Sequence, residues 1–267
     1  MPEILTDLSP SSLAIAIKTN LYAYFQSFRA SSQVTTQEGS PGLRWYTAIP
    51  HPWFNGVLCD QPPGVGDDQA VQATIAYFHS KSVTSFTWWL APHLDPAAWS
   101  PRLLPHGFVY NDQTPGMAVD LAALPPLGSP PINVQRVEDQ EMLSVWTATF
   151  TRGYGIPPAI TPVFLQLIAS LGIDLPFRYY LGQLDGRPVA ASTLFLGAGV
   201  AGIYNVATLL DARGRGIGSA MTLVPLLEAR DLGYHAGVLQ SSEMGYPVYQ
   251  RLGFQKFCQM DHFYWEG

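Results

Sequence analysis

A glycine-rich segment in the C-terminal half of the chain has the composition of an anion-binding loop. It runs Asp211-Ala-Arg-Gly-Arg-Gly-Ile-Gly-Ser219, between a strand-like stretch and a helical pattern with apolar side chains at three- and four-residue spacing. The first turn of a helix has unpaired backbone N–H groups and a partial positive charge, and glycines let phosphate oxygens approach them closely. Arg213 and Arg215 add positive charge nearby. The segment therefore predicts a phosphate site; the alternative is an ordinary glycine-rich turn with solvated arginines.

A dinucleotide-binding loop is a second interpretation, which the spacing disfavours. Such a loop needs Gly-X-Gly-X-X-Gly or Ala after the first strand of a parallel unit, with an acid at the end of the next strand. Counted from Gly216, the last position of that pattern is Met221, and a strand meander precedes the loop.

Two motifs in the same order resemble those of the GCN5-related N-acetyltransferase (GNAT) family. The segment Arg213-Gly-Arg-Gly-Ile-Gly218 resembles the family's Arg/Gln-X-X-Gly-X-Gly/Ala loop for acetyl-CoA, and Tyr249-Gln-Arg-Leu-Gly-Phe254 resembles its later Tyr-X-X-X-Gly-Phe element. The resemblance covers roughly residues 132–267. It implies an N-acetyltransferase that moves the acetyl group of acetyl-CoA to a primary amine by direct attack in a ternary complex. A non-catalytic acyl-CoA-binding sensor or interaction module is the alternative, and the intact tyrosine argues against it.

The resemblance also implies roles for individual residues. The backbone of the strand before the loop, at Val206, Ala207 and Thr208, would bind the pantetheine arm, and an N–H there would polarise the thioester carbonyl. The pyrophosphate would be held at Arg213, Gly214, Arg215, Gly216, Ile217, Gly218 and Ser219. Tyr249 would be the general acid for the departing thiolate, unless it is an ordinary packing side chain. Ser242 replaces an Asn that contacts CoA in the family, and it could equally cap the strand end.

The general base is less clear. Some relatives have a glutamate where this chain has Gly237, so that role does not carry over. Glu243, just past the predicted strand, could take the ammonium proton through a water, and His235 is the other nearby candidate. Both could equally be solvated surface residues. We expect no metal centre.

A proline-rich stretch at residues 123–131 reads as a linker between two sequence halves. We predict a degenerate domain at 1–122 and a catalytic domain at 132–267. In the first half, a predicted strand and a short helix are followed by Leu104-Pro-His-Gly-Phe108. The second half repeats this order, with a strand and a short helix followed by Gln250-Arg-Leu-Gly-Phe254. This order, together with the family resemblance, indicates a tandem α/β (α+β) fold of two GNAT-like halves, with mixed, mostly antiparallel sheets flanked by helices. Two unrelated α/β halves are the alternative.

Hydrophobic periodicity predicts the elements of both halves. In the first half we expect helices near 10–30, 67–81 and 96–106, with strands at 44–49, 56–59, 85–90 and 107–121. In the second we expect strands at 132–137, 177–185, 188–197, 200–208, 237–241 and 254–265, with helices at 139–151, 157–171, 216–231 and 247–252. The uncharged segment Val189–Leu210 is long enough to span a bilayer, but its polar residues and central glycines favour a hairpin.

The first half lacks the residues that carry the chemistry. Its loop, Pro62-Pro-Gly-Val-Gly-Asp-Asp68, places two acids at a helix start, where they would repel pyrophosphate. Leu103 stands where the second half has Tyr249. We therefore expect this half to support the other and to wall its acceptor pocket. Candidates for lining that pocket are Trp45, Trp53, Trp88 and Trp89, which could equally be core, and Arg152 and Tyr154 between the two helices.

Charge and composition limit the partners. The chain has 14 basic and 20 acidic residues, a net charge of -6, which argues against a nucleic-acid partner. Charged residues make up only 13% of the chain, so a homodimer that buries apolar surface is possible. Two cysteines, Cys59 and Cys258, are too few for a disulfide framework, and the first residues lack a basic signal-peptide region. We expect a cytoplasmic protein with a small-molecule or peptide amine acceptor and no membrane partner.

Overall fold

The computed structural model describes residues 3–267, apart from the side chain of Asp112. Its α-helices are α1 (Pro10–Ser27), α2 (Asp67–Ser80), α3 (Pro96–Leu103), α4 (Gln140–Tyr154), α5 (Thr161–Leu171), α6 (Ile217–Asp231) and α7 (Tyr246–Arg251). Its strands are β1 (Thr35–Gln37), β2 (Gly42–Tyr46), β3 (Gly56–Cys59), β4 (Ser85–Leu90), β5 (Phe108–Asp120), β6 (Asn133–Arg136), β7 (Phe177–Leu184), β8 (Arg187–Gly197), β9 (Val200–Thr208), β10 (Ala236–Gln240) and β11 (Gln255–Glu266).

The chain forms two compact units that are not continuous segments. Unit 1 contains the described residues up to Tyr24 and Pro115–Phe257; unit 2 contains Phe25–Thr114 and Cys258–Gly267. The end of β5, from the N-terminal half, thus belongs to unit 1, and the end of β11, from the C-terminal half, belongs to unit 2. The compact units have different bounds from the domains at 1–122 and 132–267, which stay a prediction, as does the internal duplication.

The sheet of unit 1 has one parallel pair. Its strand order is β5, β10, β9, β8, β7, β6, in which β10 and β9 are parallel and all other neighbours are antiparallel. The predicted hairpin across Val189–Leu210 is confirmed, because β8 and β9 pair from Ala190 with Thr208 to Gly197 with Val200.

Helices cover both faces of this sheet. Successive residues of a strand point to opposite faces, and the adjacent Tyr179 and Tyr180 of β7 show which helix lies on each. The ring of Tyr179 contacts that of Trp146 in α4, with centroids 4.9 Å apart. The hydroxyl of Tyr180 donates to Glu228 of α6 at 2.5 Å. Helix α4 therefore covers one face and α6 the other, and the site elements pack against a rigid, apolar layer.

Helix α6 contains Pro225 in its interior. A proline cannot donate the helical hydrogen bond to the carbonyl four residues earlier, which here is that of Met221. The hydroxyl of Ser192 on β8 donates to this carbonyl at 2.7 Å. The buried acceptor is therefore satisfied from the sheet, and the same bond fixes α6 on β8.

Unit 2 has a smaller sheet of similar design. Its order is β1, β2, β3, β4 and the end of β11, in which only β3 and β4 are parallel. Buried aromatic side chains fill its core, including Phe78, Phe86, Trp88 and Trp99. The predicted fold class is confirmed: mixed, mostly antiparallel sheets flanked by helices. Among the described residues, every helix is too short or too polar to cross a bilayer.

Candidate active site

Strands β9 and β10 are paired at their beginnings and then separate. Ala201 pairs with Gly237 and Gly202 with Val238, and within the described chain no further pairs join them, although β9 continues to Thr208. On its other side β10 stays paired with β5 along its whole length. A gap between two parallel strands therefore opens toward their carboxyl ends.

A β-bulge at Asn205 redirects β9 at this gap. The register with β8 shifts because Ala191 pairs with Ala207 while Thr193 pairs with Tyr204, which leaves one extra residue on β9. Asn205 has a φ of 54°, a left-handed conformation that asparagine tolerates better than most residues. Bulges bend a strand and increase its local twist, and this one lies in the part of β9 that is no longer paired with β10.

The backbone beyond the bulge faces the gap at alternate residues. The N–H of Leu209 donates to Val189 of β8 at 2.8 Å. Because backbone groups alternate between the two edges of a strand, the N–H groups of Thr208 and Val206 point away from β8. The carbonyl oxygen of Thr208 confirms this direction, since it accepts from Nε of Arg213 at 3.1 Å. Two of the three predicted pantetheine-binding residues thus turn backbone donors toward the gap.

The third, Ala207, packs against the end of α4. A Cβ placed on Gly153 would lie 2.9 Å from Cβ of Ala207 and 3.5 Å from the backbone N of Thr208. Only glycine therefore allows α4 to approach β9 this closely.

The glycine-rich loop meets the requirements of an anion cradle. Gly214 and Gly216 have φ values of 78° and 76°, and a Cβ at either would meet nothing within 4 Å. Gly216 caps α6, whose first turn contains no acidic residue. Ile217 is buried and anchors that turn, whereas Arg215 is exposed. The first-turn N–H groups, at Ile217, Gly218 and Ser219, have no partner within the helix, so these residues fit a pyrophosphate.

Tyr249 lies half-buried on α7, with its ring against Phe254 at a centroid distance of 5.8 Å. Burial raises the pKa of its hydroxyl well above the usual 10, and the nearby phenol of Tyr154 raises it further. Tyr154 follows Gly153 at the end of α4 and keeps 41% of its surface exposed. Desolvation raises its pKa to about 12, against the opposing charge of Arg213. Tyr154 therefore interacts electrostatically with both Tyr249 and Arg213.

Of the remaining predicted residues, Ser242 and Glu243 lie in the turn after β10, His235 directly precedes β10, and Arg152 lies near the end of α4. The Ser242 hydroxyl accepts from the backbone N of Gly245 at 3.2 Å, and its carbonyl accepts from the backbone N of Tyr246 at 3.0 Å, so it stabilises the turn that leads into α7. Glu243, His235 and Arg152 are exposed. These positions do not identify which residue acts as the general base.

Two residues of this region were missed by sequence reasoning. Asn205 holds the bulge, and its Nδ2 donates to the hydroxyls of Tyr24 and Thr193, each at 3.1 Å. Tyr24, on α1, stacks on Tyr204 with centroids 4.0 Å apart. An Asn within a strand pattern is the signal that could have indicated a bulge. Nothing local connects Tyr24 to β9.

The two parallel strands of unit 2 do not separate in the way that β9 and β10 do. Strands β3 and β4 pair at four successive positions, from Gly56 with Thr87 to Cys59 with Leu90. The loop before α2 is also occupied by the chain itself, because the buried carboxylate of Asp67 accepts from the backbone N of Gly64. The expectation that the first half does not bind CoA stays a prediction. Of the four tryptophans considered for a pocket, Trp45 and Trp88 are fully buried, Trp89 is half-buried and Trp53 is 49% exposed.

Comparison with known proteins yields structural matches but no sequence matches. No protein-family model and no curated protein matches the chain. A GCN5-related N-acetyltransferase from Kribbella flavida superposes with a TM-score of 0.71 at 18% identity, over 95% of this chain and 96% of that one. A functionally unknown conserved protein from Staphylococcus epidermidis has a TM-score of 0.67 at 13% identity, over 86% and 93%.

A third match is a GCN5-related N-acetyltransferase from Sphaerobacter thermophilus, with a TM-score of 0.62 at 18% identity over 87% of this chain and 76% of that one. Matches at such low identity establish architecture. Together with the separated strands β9 and β10 and the glycine cradle at α6, they show that this chain has the GCN5-related N-acetyltransferase fold.

Proposed function

We propose that the protein is an N-acetyltransferase that moves the acetyl group of acetyl-CoA to a primary amine by direct attack in a ternary complex. The observation that carries this proposal is the gap between β9 and β10, which ends beside the open glycine loop at the start of α6. The backbone donors at this strand edge and the helix N-terminus would then form one continuous binding surface for pantetheine and pyrophosphate.

Within this surface, the chain's own groups would orient and polarise the thioester. The backbone N–H groups of Gly214 to Ser219 hold the pyrophosphate, and those of Val206 and Thr208 hold the pantetheine arm. A donor at this edge stabilises negative charge on the carbonyl oxygen as the amine attacks. The C–N bond forms, the C–S bond breaks, and the thiolate leaves as CoA.

Tyr249 would supply the proton for that thiolate. Because burial raises its pKa, the hydroxyl stays protonated throughout the neutral range and always presents a donor. The ammonium proton of the attacking amine would pass to water, with Glu243 as the proposed acceptor in the exposed turn. The acceptor amine would belong to a small molecule or a peptide.

Calorimetric titration with acetyl-CoA tests the binding part of the proposal. The φ of Gly218 lies outside the left-handed region, and the nearest atom to an added Cβ is Cγ1 of Val248 at 4.0 Å, so a side chain can begin there without a clash. Gly218→Glu places a carboxylate in the phosphate position, and Gly218→Gln is its uncharged match. We expect binding in the native chain, weaker binding in the Gln variant and none in the Glu variant. Equal affinity in both variants would remove the loop from the site.

Thiol release from acetyl-CoA over a panel of primary amines tests the chemistry. Thiol release that requires an added amine would support the acetyltransferase proposal. Tight acetyl-CoA binding with no release across the panel would instead support a non-catalytic acyl-CoA-binding module.

A further inference from the structure

The guanidinium of Arg213 bonds to the protein from two sides. Its Nε donates to the carbonyl of Thr208 at 3.1 Å, and one terminal nitrogen donates to the carbonyl of Gly153 at 3.0 Å. The other terminal nitrogen lies 3.9 Å from Sδ of Met244, in the turn after β10. One side chain thus connects the ends of β9 and α4 with the turn that leads to α7.

These bonds secure a contact that the backbone has made unusually close. Gly153 lies against Ala207 and Thr208 with no room for a Cβ, and Gly153 is near the C-terminus of α4, where carbonyls lack helical partners. A cation at this end of a helix is favoured by the helix dipole. The planar fork of arginine suits two carbonyls that lie in different directions.

Tyr154 follows Gly153 and is the last residue of α4. Its phenol raises the pKa of Tyr249, and the charge of Arg213 lowers the pKa of Tyr154, so the three groups interact through their charges. Moving the end of α4 would therefore move the phenol of Tyr154 relative to Tyr249, without changing the glycine loop itself.

We infer that Arg213 is a positioning residue, which fixes the end of α4 and Tyr154 beside the strand gap, and that the exposed Arg215 supplies the charge for the pyrophosphate. The family resemblance implied instead that Arg213 holds the pyrophosphate. The consequence for catalysis rests on the proposed function, whereas the positioning of α4 does not.

Hydrogen–deuterium exchange of the native chain and three variants tests the positioning. The amides of Gly155 and Ile156 donate to Arg152 at 3.2 Å and to Thr151 at 2.8 Å, so they report on the end of α4. We expect exchange at both to be about tenfold faster in Arg213→Ala and Arg213→Lys, because the single nitrogen of lysine cannot occupy the two positions from which Nε and a terminal nitrogen of Arg213 reach the two carbonyls. Arg215→Ala is the matched control and should exchange as the native chain does. Unchanged exchange in Arg213→Ala overturns the inference.

Ligand binding and kinetics of the same variants test whether Arg213 positions α4 while Arg215 supplies the charge for the pyrophosphate. Inorganic pyrophosphate should bind Arg213→Lys and Arg213→Ala within about twofold of the native chain, and Arg215→Ala about fivefold more weakly. With an amine that supports thiol release, Arg213→Ala should lower kcat while the KM for acetyl-CoA stays within about twofold. A larger loss of pyrophosphate affinity in Arg213→Ala than in Arg215→Ala overturns the inference. If the native chain binds neither ligand, the proposed function fails, and the exchange result still decides the positioning role.

Discussion

The amide of Asn205 donates a hydrogen bond of 3.1 Å to the hydroxyl of Tyr24. This bond joins the bulge of β9 to α1, and a second bond from the same amide reaches Thr193 on β8. The bulge therefore depends on side chains from two other elements, one of them far away in the sequence.

Substitutions at Asn205 distinguish the stability that its two hydrogen bonds contribute from the stability that its tolerance of a positive φ contributes. Asn205→Gly keeps the left-handed conformation and loses both bonds, whereas Asn205→Ala also meets the steric cost of a positive φ. We expect the Ala variant to lower the free energy of unfolding by about 1 kcal/mol more than the Gly variant. Urea denaturation measures both. Equal losses would mean that the backbone at 205 is unstrained.

Tyr249→Phe should separate chemistry from binding. Loss of a general acid lowers kcat about 100-fold or more, and the affinity for acetyl-CoA should stay within about twofold of the native value. Tyr246→Phe, on the same short helix, is the control and should change kcat little. Because the pKa of Tyr249 is raised, its titration should cause no fall in kcat below pH 10. Native turnover in the Phe variant would exclude Tyr249 from the reaction.

Gly153→Ala should push α4 away from β9, because the new methyl group would lie 2.9 Å from Cβ of Ala207. We expect a loss of about 1–3 kcal/mol in unfolding free energy, as for other overpacked sites, together with weaker acetyl-CoA binding. Ala207→Gly removes the opposing methyl group, so the double variant should recover part of both losses. A double-mutant cycle with no coupling would contradict the close approach.

Alkaline pH should destabilise the protein through its buried tyrosines. Burial raises the pKa of Tyr180 to about 12, against 10 in an unfolded chain. Above pH 10 the unfolded chain therefore releases protons that the folded one retains, and the free energy of unfolding falls. Tyr180→Phe should reduce the loss between pH 9 and 11 by about 1 kcal/mol, measured as the pH dependence of urea unfolding. A variant that loses stability as steeply as the native chain would contradict this.

The predicted catalytic segment, residues 132–267, should not fold alone. It lacks Gly116–Asp120, the antiparallel partner of β10, and it lacks Tyr24 and Asn20, which contact Tyr204 by stacking and by a 2.7 Å hydrogen bond. An unpaired β10 would leave a sheet edge open to aggregation. Co-expression with residues 1–122 should restore a soluble complex. A cooperative thermal transition of the isolated segment would show that β10 does not need its partner strand from the N-terminal half, contrary to this prediction.

The signals that sequence analysis read correctly are local. The hairpin of β8 and β9, the glycine loop before α6 and the segment of Tyr249 each lie within a continuous stretch, where side-chain period and backbone freedom decide the structure. Residue types and their spacing therefore predicted these elements and, together with the family resemblance, the fold class; the cofactor role of the loop stays a prediction.

Only the tertiary structure decided how strands and side chains meet across the chain. The bulge at Asn205 is a matter of register between two strands, and register depends on packing over a whole face rather than on any single residue. The bonds of Arg213 depend on where the end of α4 lies, and the partner of β10 comes from a segment that precedes it by more than a hundred residues. Long-range contacts of this kind leave no periodic pattern in the sequence, because many side chains can satisfy the same local period while only one arrangement packs.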